Sequence, residues 1–328
     1  MAKAWHLKSR PEGMPSADNF ELKEVDLPTL GDGMIRVRNR WLSVDPYMRG
    51  RMNDVKSYVP PFQLDQPLEG GAVGEVVESK AEGFAPGNLV VHMGGWRDEA
   101  VVPAPAARKL PDIGAEPQQF LGVLGTTGAT AYFGLLDAAS ARAGDVVFVS
   151  AAAGAVGSVV VQIAKAKGMT AIGSAGGAEK CDFVRLLGAD AVIDYRAGEL
   201  VKHLSAAAPE GIDVYFDNVG GDHLDAALAV ARNHARFAIC GMIEGYNKRE
   251  PTSLRYLMRV IAARIRLQGF LVFDYQSRMD EFYRDMASWL KSGAVKSRET
   301  VAEGLEQTPA AFLGLFKGAN VGKMLVRL

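Results

Sequence analysis

Two glycines set three residues apart can bring backbone against a phosphate, and the chain holds such a pair directly after an apolar run. Val146-Val147-Phe148-Val149-Ser150 leads into Ala151-Ala152-Ala153-Gly154-Ala155-Val156-Gly157. The order is strand, small-residue turn, helix. Without Cβ atoms, Gly154 and Gly157 let a pyrophosphate approach, and its charge then meets the unpaired N–H groups and positive dipole end of the helix. Gly154, Ala155, Val156 and Gly157 are therefore candidate pyrophosphate contacts. Ala152 stands where the six-residue dinucleotide fingerprint has its first glycine, and the same string also fits a tight strand-to-helix turn that binds nothing.

The next predicted strand, residues 170–173, leads to Ser174, about twenty residues beyond Gly154, where an NAD-binding chain carries an acid for the ribose hydroxyls. Ser174 has no charge to repel a 2′-phosphate. The turn Ser174-Ala175-Gly176-Gly177-Ala178-Glu179-Lys180 opens room for one and supplies a cation. The pattern predicts NADPH in preference to NADH, with Ser174 and Lys180 at the 2′-position. Lys180 also fits a plain solvated helix position.

Metal chemistry has little to build on. The chain has two cysteines, Cys181 and Cys240, and five histidines, His6, His92, His203, His223 and His234, with no ligand spacing among them. These histidines read as core or surface residues, and no zinc is expected.

The candidate residues need elements to hold them. From Val146 onward, strand-like runs at 146–150, 170–173, 191–194, 214–218, 235–240 and 267–273 alternate with helical segments beginning near Val156, Ala178, Glu199, His223, Ser253 and Arg278. That alternation predicts a doubly wound α/β domain with a parallel sheet. Strand-like stretches at 20–26, 34–43, 71–79, 88–91 and 99–102, broken by Pro and Gly, make the first part mostly β. The tail has one helix, opened by Thr308 and Pro309 in cap and first-turn positions, and a strand at 323–328 able to return to the first part. The expected organisation is a mostly β domain at 1–120 completed by 299–328, and a dinucleotide domain at 121–298.

At 328 residues, 23% charged and a net charge of −1, the chain is an ordinary globular sequence, with no electrostatic case for nucleic acid or a membrane surface as partner. The first ten residues lack a secretory pattern, and no run reaches the roughly 18 to 20 apolar residues of a membrane span. A cytoplasmic address is expected.

Further motifs, in order, are Val44-Asp45-Pro46-Tyr47-Met48-Arg49-Gly50, Gly128-Ala129-Thr130-Ala131-Tyr132-Phe133-Gly134-Leu135, Tyr215-Phe216-Asp217-Asn218-Val219-Gly220-Gly221, Gly269-Phe270-Leu271-Val272 and Asn320-Val321-Gly322-Lys323. With the phosphate loop, they make the chain resemble the zinc-independent medium-chain reductases that include leukotriene B4 dehydrogenase/prostaglandin reductase, plant alkenal double-bond reductases and bacterial curcumin reductase. The resemblance implies a GroES-like β domain beside the Rossmann domain and a homodimer. It implies that Lys180 and Tyr195 bind the 2′-phosphate, and that the loop from Cys240 and Gly241 to Tyr246 passes the nicotinamide ribose. The backbone of Phe270, Leu271 and Val272 would hold the carboxamide, and Asn218 and Asn320 would lie near the cofactor. Asn218 also fits a turn residue after a buried strand. Residues 254–267 depart from the family pattern, which leaves substrate choice open.

The activity implied is NADPH-dependent reduction of the double bond in α,β-unsaturated aldehydes and ketones. A conjugated enone takes hydride at its β-carbon if a donor meets the developing enolate oxygen, and no metal is required. Tyr246 is the candidate donor, with Tyr47 lining the pocket. Either tyrosine also fits a packing role, and Tyr246 a cofactor-binding one. The competing functions are quinone reduction with the same cofactor and noncatalytic NADPH binding of the crystallin kind.

Overall fold

The computed structural model describes residues 1–248 and 250–328. The chain divides into two units, Met1–Leu121 with Glu299–Leu328, and Gly122–Arg298. The first begins with β1 (Ala2–Leu7) paired antiparallel to β2 (Phe20–Val25), followed by β3 (Met34–Ser43), a short helix α1 (Met48–Arg51), β4 (Ala72–Ser79), β5 (Leu89–His92), β6 (Glu99–Pro103) and β7 (Arg108–Lys109). In β3, Ile35 and Val37 turn into the core while Arg36 and Arg38 reach outward to Glu78 and Glu99. This period of two is what a half-buried strand requires. The larger core of the unit centres on Trp96, stacked on Phe20 at 5.6 Å.

The second unit opens with α2 (Thr126–Phe133), then alternates β8 (Val146–Val149), α3 (Ala155–Ala166), β9 (Thr170–Ala175), α4 (Ala178–Leu186), β10 (Ala191–Asp194), α5 (Leu200–Ala207), β11 (Ile212–Asp217), α6 (Gly221–Val230), β12 (Ala231–Ile239), α7 (Arg259–Ala262), β13 (Arg266–Gly269) and α8 (Met279–Ser292). Its strands are parallel and lie in the order β10-β9-β8-β11-β12-β13. Counted within this unit the order is 3-2-1-4-5-6, the doubly wound arrangement, and its direction reverses between β8 and β11. Ligands bind in the crevice beyond the carboxyl ends of strands at such a reversal. A core of Phe148, Ile172, Tyr215, Leu228 and Phe237 fills the space between sheet and helices.

The chain then returns to the first unit through β14 (Glu299–Glu303), α9 (Thr308–Leu315) and β15 (Lys323–Arg327). β15 lies between β14, parallel, and β3, antiparallel, at the end of a sheet ordered β14-β15-β3-β4-β5-β7, with β6 also paired to β3. No helix of the described residues is long and apolar enough to cross a membrane.

Four local expectations need correction. The strand expected at 267–273 ends at Gly269, because residues 272–278 wind into a 3-10 turn. The helix expected from Ser253 shrinks to the four residues of α7. The strand expected at 170–173 continues to Ala175, held by the register pairs Ser174 with Ile193 and Ala175 with Asp194. Thr308 is the first helical residue rather than the cap, because its hydroxyl donates to Leu305 O (2.7 Å) in the 3-10 turn that leads into α9.

Candidate cofactor and active site

The phosphate loop leaves β8 and enters α3. Gly154 precedes the helix in extended backbone (φ −84°, ψ 178°), and the first bond of the helical ladder runs from Ser158 N–H to Gly154 O (3.0 Å). The N–H groups of Ala155, Val156 and Gly157 thus come before the ladder, as a helix N-terminus requires. Gly157 is needed for a different reason. A Cβ there would stand 2.4 Å from Ala151 O and 2.9 Å from Ala152 Cα, so only hydrogen fits between helix and loop. Ala152 N–H donates to Ser174 O (2.8 Å), which fastens the loop to β9.

Beneath the loop is a buried polar knot that sequence reasoning passed over. Ser150 Oγ lies 3.1 Å from Tyr215 Oη and accepts from Asn218 N–H (2.9 Å), while Asn218 Nδ2 donates to Ser150 O (2.8 Å). Asp217 Oδ1 accepts from Tyr215 Oη (2.7 Å), Val219 N–H (2.9 Å) and Gly220 N–H (2.8 Å). Burial still holds the Asp217 carboxyl above the usual carboxylate range, and its second oxygen has no partner among the described residues. This knot ties together the two strand ends at the reversal of the sheet. The N–H groups of Cys240 and Gly241 both donate to Asp217 O (2.9 and 3.0 Å), so the next strand end is gathered to the same point. Burial pushes the Cys240 thiol up to about 12, so it is no thiolate at neutral pH. Tyr246 folds back over this loop, and its hydroxyl oxygen accepts from Met242 N–H (3.3 Å). Asn218, Cys240, Gly241 and Tyr246 are therefore brought together.

A second cluster forms beyond β9 and β10. Ser174, expected to face the 2′-position, is fully buried, with its Oγ 2.8 Å from His223 Nε2. Burial pushes the His223 imidazole down to about 4, which leaves it neutral at pH 7. The Tyr195 ring meets His223 edge-on at 5.2 Å and stays 41% exposed. Ser174 thus acts on this cluster only from below, by holding the imidazole that supports Tyr195. A Cβ at Gly176 would lie 2.7 Å from both Cζ and Oη of Tyr195. Gly177, with φ of 90°, needs the left-handed freedom of glycine. Lys180 stands half-buried in the first turn of α4. Burial lowers its pKa, the charge of Arg196 lowers it further, and Glu179 offsets part of this. Arg196 was not singled out in the sequence, although it directly follows Tyr195 at the end of β10.

After β13, the Phe270 ring is taken up by packing. It lies edge-on to Phe216 at 6.2 Å, and its tip occupies the space a Cβ on Gly134 would need, 2.4 Å away. Only backbone is left for a ligand role at Phe270. Leu271 and Val272 begin the 3-10 turn that follows.

In the other unit, Tyr47 leads into α1 and packs against the Trp96 core. Burial and the neighbouring Asp45 hold its phenol well above the ordinary range. Lys323 Nζ donates to Val44 O (3.0 Å) and Asp45 Oδ1 (2.7 Å), which pins the Tyr47 turn to β15. Asn320 Nδ2 donates to Gly322 O (2.7 Å), so its amide is part of its own turn.

Residues 3–110 match the family described as the N-terminal domain of oxidoreductase, and residues 155–292 the family described as zinc-binding dehydrogenase. The NADPH-dependent curcumin reductase of Escherichia coli (strain K12) is 43% identical over 99% of this chain and 96% of that protein. The NADP(+)-dependent 2-alkenal reductase of Nicotiana tabacum is 39% identical over 98% of this chain and 95% of its own length. The crystal structure of CurA in complex with NADPH from Vibrio vulnificus is 42% identical, covers 99% of both chains and superposes with a TM-score of 0.95. The zinc in the second description has no donor set to match it: among the described residues, no three or more His, Cys, Asp or Glu side chains come together as a metal site.

Proposed function

The chain belongs to the medium-chain dehydrogenase/reductase family, beside the curcumin, 2-alkenal and prostaglandin reductases, and on that premise we propose that it reduces the carbon–carbon double bond of α,β-unsaturated aldehydes and ketones with NADPH. The observation that carries this reading is end-to-end similarity to enzymes named for one shared chemistry. NADPH, when bound, supplies the hydride that the β-carbon of the enone accepts.

The residues divide the remaining work. The N–H groups of Ala155 to Gly157 at the start of α3 meet the pyrophosphate, with Gly154 and Gly157 giving it access. Lys180 and Tyr195 hold the 2′-phosphate; the cradle that Cβ atoms on Gly176 and Gly177 would fill supports this fit. Asn218, Cys240 and Gly241, fixed through Ser150 and Asp217, shape the floor beside the nicotinamide. The backbone of Phe270, Leu271 and Val272 would hold the carboxamide. Tyr246 donates to the developing enolate oxygen. Its own oxygen accepts from Met242 N–H, which polarises the phenol and strengthens it as a donor. No residue is assigned to deliver the α-carbon proton, which solvent can supply.

The edge strand β13 of the parallel sheet, near the exposed Tyr256, Leu257, Met258, Ile261, Leu267 and Phe273, supports assembly as a homodimer through that edge. The two unpaired cysteines support a reducing, cytoplasmic location.

The test is NADPH consumption against a panel of 2-alkenals, cyclic and long-chain enones, curcumin, quinones and saturated alcohols, with product identification. Enones and enals should be converted to saturated carbonyls. Turnover confined to quinones, or to alcohols with NADP(+), would overturn the proposal.

A further inference from the structure

The 2′-phosphate of the cofactor is close to a dianion at neutral pH, and Lys180 offers it one charge from one side. The turn beside it is bordered by a second cation. The Nε of Arg196 lies 2.9 Å from where a Cβ on Gly176 would sit, and its Nη1 lies 3.3 Å from the corresponding point on Gly177. The guanidinium therefore runs along the Gly176–Gly177 backbone, next to the Tyr195 hydroxyl that crowds the same position. This placement is fixed from behind. A single oxygen of Asp194 accepts both Gly177 N–H (3.1 Å) and Arg196 N–H (3.0 Å), so one carboxylate sets the turn and the arginine backbone together. These two backbone donors, first of all, hold the Asp194 carboxyl below the usual carboxylate range, so it keeps this role into mildly acidic solution.

Neither Lys180 nor Arg196 forms a salt bridge among the described residues, whereas Glu179, the acid next to Lys180, is turned to Arg298 at 3.7 Å. The two cations stand close enough that the charge of Arg196 adds to burial in lowering the Lys180 pKa, with Glu179 offsetting part of this. A phosphate monoester would meet both charges. Arginine adds what lysine lacks, a planar fork of donors able to grip two phosphate oxygens at once.

We infer that Arg196 is a specificity-determining residue of the 2′-phosphate site, completing with Lys180 a two-cation clamp around the Gly176–Gly177 turn. This rests on the assignment of that turn to the cofactor's 2′-position. The probes are NADPH, NADH, adenosine 2′,5′-bisphosphate and 5′-AMP, titrated calorimetrically into the wild-type chain and into Arg196→Ala, Arg196→Lys and Lys180→Ala. Arg196→Ala should weaken NADPH and adenosine 2′,5′-bisphosphate by about 10- to 100-fold, the loss of a charge-assisted contact, and shift NADH and 5′-AMP less than about twofold. Arg196→Lys should recover only part of the loss, because charge returns without the fork. Binding of the bisphosphate should also lose part of its salt dependence in Arg196→Ala. If Lys180→Ala selectively weakens the 2′-phosphorylated ligands while Arg196→Ala leaves them unchanged, the clamp is overturned and the turn's assignment stands. Equal weakening of phosphorylated and unphosphorylated ligands by Arg196→Ala overturns the clamp as well. A wild-type chain that does not separate adenosine 2′,5′-bisphosphate from 5′-AMP overturns both.

Discussion

Gly157→Ala sets two opposed effects against each other. Alanine in place of glycine inside a helix gains about 1 kcal/mol of propensity. Here the added methyl would lie 2.4 Å from Ala151 O, 2.9 Å from Ala151 C and 2.9 Å from Ala152 Cα. All three obstacles are backbone, so no side chain can swing aside. Either α3 lifts or the 151–154 loop shifts, and the Ala152-to-Ser174 bond that fastens the loop is strained in both cases. Overpacking of this kind costs about 1–3 kcal/mol, and three backbone obstacles put it toward the upper end, so after the propensity gain the net loss approaches about 2 kcal/mol. At about 2–4 °C per kcal/mol for a unit of this size, the melting temperature should fall by several degrees. The shifted N–H groups should also weaken NADPH and NADH alike, by about tenfold or more, since both carry the pyrophosphate. Urea denaturation and calorimetric titration of both dinucleotides measure the two effects. Gly154→Ala is the milder comparison, because its methyl would stand 3.2 Å from Ala151 O at an ordinary φ of −84°. A Gly157→Ala chain as stable as the parent, with unchanged dinucleotide affinity, would refute the steric argument.

Tyr246→Phe should lower turnover with enones by about 1–3 kcal/mol of transition-state stabilisation and leave NADPH affinity nearly unchanged; a loss of affinity with normal turnover would make the tyrosine a cofactor clamp. Acid should destabilise the fold through His92 and His223, both pushed down to about 4 chiefly by burial from an ordinary 6.5. The unfolded chain binds more protons between those values, so their stabilisation is complete above about pH 6.5 and is lost as pH falls toward 4, by up to about 3 kcal/mol for each. Denaturation midpoints that stay flat from pH 7 to about pH 4.5 would count against this. Metal analysis should find no stoichiometric zinc, and exhaustive chelation should leave turnover intact; chelator-sensitive turnover would reverse that expectation.

The second unit was readable because its strands are apolar runs closed by turn residues, as at residues 191–194, where the expected and observed bounds coincide. Elements without that contrast escaped. β1 alternates around small alanines, with Ala2 and Ala4 buried, so its amphipathic signal is weak. α2 contains Gly128 and three threonines, poor helix formers, yet it forms because Gly128 packs so closely on Val123 that no side chain would fit. Reading the site depended on the same contrast. The absence of an acid at position 174 and the cation at Lys180 were legible from residue type and spacing. That Ser174 would turn inward to His223 was not, because one residue of strand length decides which face a side chain takes. Ser150 escaped because its partners in the buried polar knot lie 65 to 68 positions away, as in the bonds from Tyr215 and Asn218.

The path of the chain through its two units bears on how it is made. Residues 122–298 are one uninterrupted segment, able to close as soon as the ribosome has released them. The sheet of the other unit stays incomplete much longer, because β15, which lies between β3 and β14, is synthesised only after that whole segment. Throughout that interval residues 41–43 of β3 present unpaired backbone where Leu325, Val326 and Arg327 will later bond. An open sheet edge on a nascent chain is a template for pairing with other chains. A ribosome-stalled or prematurely terminated product lacking β15 should therefore be the aggregation-prone species, with its dinucleotide unit already folded.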